Sequence, residues 1–293
     1  MKTSPPYDVS VIIVSYNTAT FLTRCLDSIA PQFNSVSEVI VVDNASADDS
    51  QEVVRCRFQW VKLVANEVNL GFGPANNQAL RISKGRYVFF LNPDTEVSSG
   101  AFAAMIGFMD SHPDIGLAGT HIINPDGSPQ PSIESRYPGE KYTKHELRGL
   151  KGDIAWVLGA SMIARRTVLD ALGGFDERFF LYGEEQDLCL RIRKAGWSIG
   201  YIPDATVVHW GGQSERDTLP VEVWKKKFEA ELIFYRKHYS VKAIRAIKRA
   251  NLIQAVWRIF TLKLIIPFCF DKQKALGKLE KYRVALTVFR NRV

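Results

Sequence analysis

Along the first hundred residues, unbroken runs of β-branched and aromatic residues alternate with stretches whose apolar positions recur every three or four. Residues 9–14 (VSVIIV), 38–43 (EVIVVD), 61–65 and 87–92 (YVFFLN) read as strands, and 21–29, 49–57 and the segment reaching Ile82 as helices. Continuous apolar strands separated by helices belong to a mostly parallel sheet covered on both faces. The fold class is therefore α/β. Such sheets bind ligands at the carboxyl ends of their strands, and the four loops there hold Ser15-Tyr16-Asn17, Asp43-Asn44-Ala45-Ser46, residues 66–69 with three polar side chains, and Asn92-Pro93-Asp94. Any one of these could be a cap or a turn; four polar loops on one edge point to a polar ligand.

Beyond residue 100 the pattern predicts a helix over 102–109, a strand over 115–123 and a tight turn at 124–127. Residues 128–153 lack apolar periodicity and carry three prolines, which predicts a mobile loop or lid. A strand is expected at 156–166, a short helix at 167–172 and another at 187–195, both ended by glycine. Residues 198–210 are expected to form paired strands closing the body. From Val221 onward the pattern is helical throughout, and the chain has no internal repeat. The expected organisation is an α/β body over 1–215 and a helical extension over 216–293.

Charge sharpens that division. The chain of 293 residues is 46% apolar and 24% charged, with a formal net charge of +7. Residues 1–215 hold 19 Lys and Arg against 25 Asp and Glu, a net of −6, whereas residues 216–293 hold 19 against 6, a net of +13. A basic tail of this kind meets something anionic: a membrane face, a nucleic acid or an acidic partner. Leu252, Ile253, Val256, Trp257, Phe260 and Leu264 recur at helical spacing among Arg245, Lys248, Arg249, Arg258 and Lys263. That arrangement favours an anionic membrane interface over nucleic acid, with packing on the body or on a second subunit of a homodimer as the alternative. The longest apolar tract, 252–270, contains Arg258, Lys263 and Pro267, so lying on a membrane is expected rather than crossing it. Four scattered cysteines suggest neither a zinc cluster nor a disulfide framework and fit a reducing cytosol. The N-terminus lacks the apolar run and cleavage site of a secretory signal. A cytoplasmic protein, peripheral at the inner face of the cell membrane, is expected.

Three features carry candidate chemistry. Asp94, fixed at the end of a rigid strand, suits a hard divalent cation that keeps phosphate oxygens and waters in its other positions; a turn Asp after proline is the plain reading. Residues 179–191 crowd Glu184, Glu185 and Asp187 between aromatics and a helix, where mutual repulsion calls for a cation or a raised pKa, unless the acids only complement the helix dipole. His209 follows a strand and becomes a metal or diphosphate ligand if it approaches Asp94. The run from Gly71 to Asn76 begins like a dinucleotide-binding fingerprint but ends in Asn and follows the third strand, which argues against an oxidoreductase. An α/β protein that binds nucleic acid or membrane through its tail, without transferase activity, is the alternative function.

Together, VSYN (14–17), VVDNASADDS (41–50), NLGFGPANN (69–77), FFLNPD (89–94), WVLGASMIARR (156–166), the segment 173–197 and HWGGQS (209–214) make residues 8–215 resemble the inverting GT-A glycosyltransferases of family 2, particularly bacterial rhamnosyltransferase-like members. The resemblance implies a GT-A fold and transfer of a sugar, rhamnose from dTDP-rhamnose first and a UDP-sugar next, to a hydroxyl of a glycan or lipid-linked glycan in cell-surface polysaccharide synthesis. It places the nucleoside on Ser15, Tyr16, Asn17 and Asp43, with Asp43 accepting from the pyrimidine N3–H. Asn69, Gly71, Phe72, Asn76 and Asn92 would lie beside nucleotide and sugar. The family's D-x-D motif reads Asn92-Pro93-Asp94 here, which leaves Asp94, with His209, to hold Mg²⁺ or Mn²⁺. The general base falls on Glu185, where the family usually has aspartate, with Glu184 as the other choice. Trp156, Gly159 and Ala160 resemble the acceptor-side wall, and Arg191 is expected to pair with Asp187 or phosphate.

Overall fold

The structure, a computed structural model, describes residues 7–33, 37–143, 146–213 and 218–291. The chain divides into two compact units: Met1–Arg136, Leu150–Phe180 and Glu184–Arg216 form the first, and Tyr137–Gly149, Leu181–Gly183 and Asp217–Val293 the second. The boundary expected at 215/216, like Ser214 of the last motif, lies outside the described residues.

In the first unit, β1 (Tyr7–Ser15) pairs in parallel with β2 (Ser37–Asp43) on one side and with β4 (Gly85–Leu91) on the other, and β2 pairs in parallel with β3 (Lys62–Ala65). Helices α1 (Ala19–Ile29), α2 (Ser50–Arg57) and α3 (Phe72–Ile82) make the connections. The sheet continues through β5 (Thr95–Val97), β6 (Ile115–Ile123), β9 (Ser161–Arg165) and β10 (Ser198–His209) in the order β3-β2-β1-β4-β9-β6-β10-β5, with β9 and β5 antiparallel to their neighbours. The unbroken apolar runs have a direct cause. Val9, Val11 and Ile13 of β1 enter one buried cluster while Ile12 and Val14 enter another on the opposite face, so alternation disappears because both faces are dry. Helix α4 (Ala101–Ser111) packs against β10, and α5 (Arg166–Leu172) and α6 (Glu184–Lys194) complete the unit. The mostly parallel α/β sheet expected from the sequence is the one observed.

Three expectations need correction. Within residues 198–210 there is one strand, Ser198–His209, not a pair: β10 runs parallel to β6 on both sides of a bulge, pairing Ile202 with Thr120 and then Thr206 with His121. Pro203, Asp204 and Ala205 are thus extra residues within a single strand, and three successive residues break the apolar pattern as a turn would. The strand expected over 156–166 is interrupted, with β8 (Trp156–Val157) pairing to β7 (Ile133–Glu134) and β9 joining the main sheet. Residues 128–153, expected to be a mobile loop or lid, contain β7 and a 3₁₀ turn at Glu140–Tyr142.

The second unit is helical: α7 (Pro220–His238), α8 (Val241–Ile265) and α9 (Lys272–Asn291), with a 3₁₀ turn at Ile266–Phe268 between the last two. Helix α9 packs against both α7 and α8. Ser240 caps α8, its hydroxyl accepting from the Ala243 amide, and Tyr137 stacks on Phe234 at a centroid distance of 5.9 Å.

Candidate active site

The strand order reverses at β1, between β2 and β4, so the crevice beyond the carboxyl ends of these strands is where a ligand is expected. The loops after β1 and β2 are tied to each other. The Asn17 amide donates to Ser46 Oγ at 2.9 Å, the Ala47 amide to Asn17 Oδ1 at 2.7 Å, and the Ala19 amide to Asp48 Oδ2 at 2.8 Å. Asn17 and Ala45 both take left-handed backbone conformations, with φ of 53° and 66°, strain of about 1–3 kcal/mol each in a non-glycine residue. Ser15 Oγ is fully buried and bonded to Thr18 Oγ1, so it shapes the loop from within, while Tyr16 lies exposed beside it.

Asp43 ends β2 and is 1% exposed. Its Oδ1 accepts from the Ser46 amide at 3.1 Å and from Gln51 Nε2 at 2.8 Å, whereas Oδ2 is buried without a partner. An orphaned buried carboxylate oxygen is costly, and an N–H donor from a ligand would satisfy it.

Asn44 organises the next loop. Its Nδ2 donates to Asn69 Oδ1 and the Gly71 carbonyl, and its Oδ1 accepts from Asn66 Nδ2 and the Leu70 amide. Asn69 Oδ1 also accepts from the Gly71 amide. Gly71 has φ +90°, and a Cβ there would stand 2.5 Å from the Phe180 carbonyl oxygen, which itself accepts from the Phe72 amide at 2.8 Å. The loop ahead of α3 is thereby seated on the segment that leads to Glu184 and Glu185. Asn76 is buried with its Nδ2 on the Phe72 carbonyl.

At the end of β4, the Asn92 amide donates to the Ala160 carbonyl at 2.9 Å, joining the expected metal strand to the expected acceptor wall. Asp94 is 3% exposed and His209 7%. Pairing of β10 with β5 sets His209 opposite Thr95, which brings His209 Nε2 to 3.4 Å from Asp94 Oδ1. Asp94 Oδ2 accepts from the Gln213 amide at 3.3 Å. His209 Nδ1 lies 3.1 Å from Gln130 Oε1; with the proton on that nitrogen, Nε2, which makes no hydrogen bond among the described residues, would present its lone pair toward the Asp94 carboxylate. Two acceptors facing each other in a buried site fit a divalent cation. No cluster of three or more His, Cys, Asp or Glu able to hold a metal occurs among the described residues, so water and a ligand's phosphate oxygens would fill the other positions.

Glu184 and Glu185 open α6. Glu184 is 5% exposed with Oε2 unpartnered, and burial, reinforced by the neighbouring Glu185 charge, pushes its carboxyl well above the usual range. Glu185 is half-buried. A Cβ on Gly159 would meet its Cβ at 3.5 Å and its Cγ at 3.7 Å, which puts the loop between β8 and β9 against the Glu185 stem. Trp156 Nε1 donates to the Arg136 carbonyl. Arg191 Nε bonds the fully buried Asp187 at 2.7 Å, and its other nitrogens reach the Leu172 and Gly174 carbonyls. Of the two partners expected for Arg191, the fold uses Asp187.

The structure thus gathers Asp43, Asn69, Gly71 and Phe72 around one set of loops and joins Asp94 to His209, with Glu185 beside Gly159. Sequence reasoning missed Gln51 and Gln130, and it named Asn44 and Gln213 within a loop and a motif without giving either a task. Gln51, in the first turn of α2, had the polar run before that helix as its signal; Gln130 carried none, since its partner His209 is 79 residues away.

Comparison with known proteins follows this geometry. The family model described as Glycosyl transferase family 2 matches residues 10–173. The chain is 29% identical over 229 residues to the N-acetylglucosaminyl-diphospho-decaprenol L-rhamnosyltransferase of Mycobacterium tuberculosis, covering 68% of this chain and 75% of that protein. It is 24% identical over 274 residues to the amylovoran biosynthesis glycosyltransferase AmsE of Erwinia amylovora, covering 90% and 98%. Among solved structures, the mannosyltransferase PcManGT of Pyrobaculum calidifontis, in complex with GDP-Man and Mn²⁺, superposes with a TM-score of 0.61 at 19% identity, covering 98% of this chain and 87% of that one.

Proposed function

Since the chain belongs to glycosyltransferase family 2, we propose that it is an inverting enzyme that moves a sugar from a pyrimidine nucleotide to a hydroxyl of a glycan or lipid-linked glycan. It would do so in cell-surface polysaccharide synthesis, at the inner face of the cell membrane. The observation that carries this reading is the approach of His209 Nε2, at the end of β10, to Asp94 Oδ1, just beyond β4, 3.4 Å apart and both buried. Likeness to the mycobacterial rhamnosyltransferase supports dTDP-rhamnose as donor, with UDP-sugars next.

Each residue has a task. Asp43 Oδ2 accepts the N3–H of uracil or thymine while Tyr16 and Asn17 border the base. Asn69, Gly71 and Phe72, held by Asn44, line nucleotide and sugar, and Asn92 and Asn76 support that wall. Asp94 and His209 would hold Mg²⁺ or Mn²⁺, in keeping with the Mn²⁺ in the PcManGT complex. A metal held there would supply positive charge to offset that of the departing diphosphate. Glu185 accepts the proton of the acceptor hydroxyl as that oxygen bonds to the anomeric carbon and the bond to the diphosphate breaks, in one displacement with inversion. Glu184, whose carboxyl is pushed up by burial and by the neighbouring Glu185 charge, is the second choice of base. Trp156, Gly159 and Ala160 border the acceptor.

A binding screen of nucleotide sugars with Mg²⁺, with Mn²⁺ and with a chelator tests the proposal. Metal-dependent stabilisation by a pyrimidine nucleotide sugar is expected; none from any donor would overturn it.

A further inference from the structure

Helix α8 spans 25 residues of the second unit. One face is spent on packing: Ala243, Ile247, Ala255 and Leu262 are buried, and α9 lies against the helix. The opposite face is bare. Ile253, Val256, Trp257, Phe260 and Leu264 are 55–62% exposed, Phe268 is 90% exposed, and Phe270 is fully exposed. Soluble surfaces seldom present large apolar side chains in such a contiguous row. Leu252, expected on this stripe, is half-buried and turned aside.

Charge is arranged around that row. Successive turns of the same face, before the apolar stretch, carry Lys242, Arg245 and Arg249, all exposed, and Lys263, Lys272 and Lys274 are exposed at its far end. No acid lies between Val241 and Phe270, and residues 216–293 carry a net charge of +13. A protein-binding face would show no reason for cations at both ends of an aromatic row. An anionic lipid surface matches both: apolar side chains enter the acyl boundary while Lys and Arg meet phosphates. Residues 241–268 are long and apolar enough to cross a membrane by length and composition. The apolar part, residues 253–265, rises only about 20 Å at 1.5 Å per residue, short of the roughly 30 Å of a hydrocarbon core.

We propose that the exposed face of α8, continued by Phe268 and Phe270, is a docking surface for an anionic membrane and lies in the interface of one leaflet without crossing it. The inference rests on exposure and charge in the second unit, independently of the donor chemistry.

The full-length protein is sedimented with vesicles of phosphatidylcholine alone and of phosphatidylcholine mixed with phosphatidylglycerol, at low and high salt. Binding is expected only to the mixed vesicles and is expected to weaken as salt rises. Each of Arg245→Gln and Arg249→Gln should weaken it about fivefold, and each of Trp257→Glu and Phe260→Glu about tenfold or more, with nucleotide-sugar binding and thermal unfolding unchanged. Bound protein should be released by alkaline carbonate. Absence of sedimentation, sedimentation untouched by the substitutions, or retention after carbonate would each overturn the proposal. So would a solution dimer that Trp257→Glu dissociates, because a second copy would then own this face. Loss of donor binding in the unaltered protein would instead strike the transferase reading.

Discussion

Gln51 Nε2 donates to Asp43 Oδ1 at 2.8 Å, and the other oxygen of that carboxylate, Oδ2, is buried without a partner. Gln51 is itself held by Arg55, whose Nη2 donates to Gln51 Oε1 at 3.0 Å. One carboxylate oxygen is therefore spent on orientation so that the other is presented in one direction. In the proposed role of Asp43, Gln51→Leu should weaken binding of UDP and dTDP about fivefold, the worth of one hydrogen bond, and should narrow their advantage over CDP. Titration calorimetry with the three nucleotides decides; an equal loss for all three would reduce Gln51 to a structural role.

Glu185→Gln should lower transfer by about 10²–10⁴-fold, the usual weight of a general base, with donor affinity unchanged. Turnover and donor titration on the same preparation give the answer. Loss of both together would remove Glu185 from the role of base.

Glu184 should report on pH. Its folded pKa is raised, by burial first and by Glu185 second, so the protonated form favours the fold. That contribution is complete below the unfolded value of about 4.3 and is lost as pH rises through the folded value. Glu184→Gln, neutral at every pH, should gain stability relative to the natural protein as pH climbs from about 4.3. Chemical denaturation across pH measures it; parallel curves would mean Glu184 is charged in the fold.

Asp94→Asn should bring donor affinity in Mn²⁺ down to the level seen with chelator. Gln130→Ala, which frees His209 Nδ1, should weaken metal binding about 10–100-fold, as loss of an outer partner does. Metal titration of the nucleotide-bound protein separates the two, and an Asp94→Asn protein still responsive to Mn²⁺ would place the metal elsewhere.

Gly71→Ala must strain φ +90° and drive a methyl into the Phe180 carbonyl. A loss of about 1–3 kcal/mol is expected, measured by thermal unfolding, together with weakened donor binding because the loop before α3 loses its seat.

The sequence announced β1, β2 and β4 because burial on both faces removes polar residues from a strand, and it announced the loops because a ligand edge needs Asn, Asp and Ser. It gave no sign that Arg191 would reach back to the Leu172 and Gly174 carbonyls, because such staples depend on tertiary distance. The bulge in β10 misled because Pro203-Asp204-Ala205 has the composition of a turn. Gln130 was invisible for the same reason as Arg191: its partner, His209, is 79 residues away.

The bulge also acts as a parity device. Side chains along a strand alternate between faces, so an odd insertion reverses every position after it. Pairing jumps from Ile202 opposite Thr120 to Thr206 opposite His121, three extra residues, and the face on which His209 emerges is fixed by that odd count. Shortening Pro203-Asp204-Ala205 by one residue would turn His209 away from Asp94 without touching either side chain; shortening it by two would restore the facing. Length at this strand, more than residue identity, sets whether the two acceptors meet, and insertions or deletions there are tolerable only in pairs.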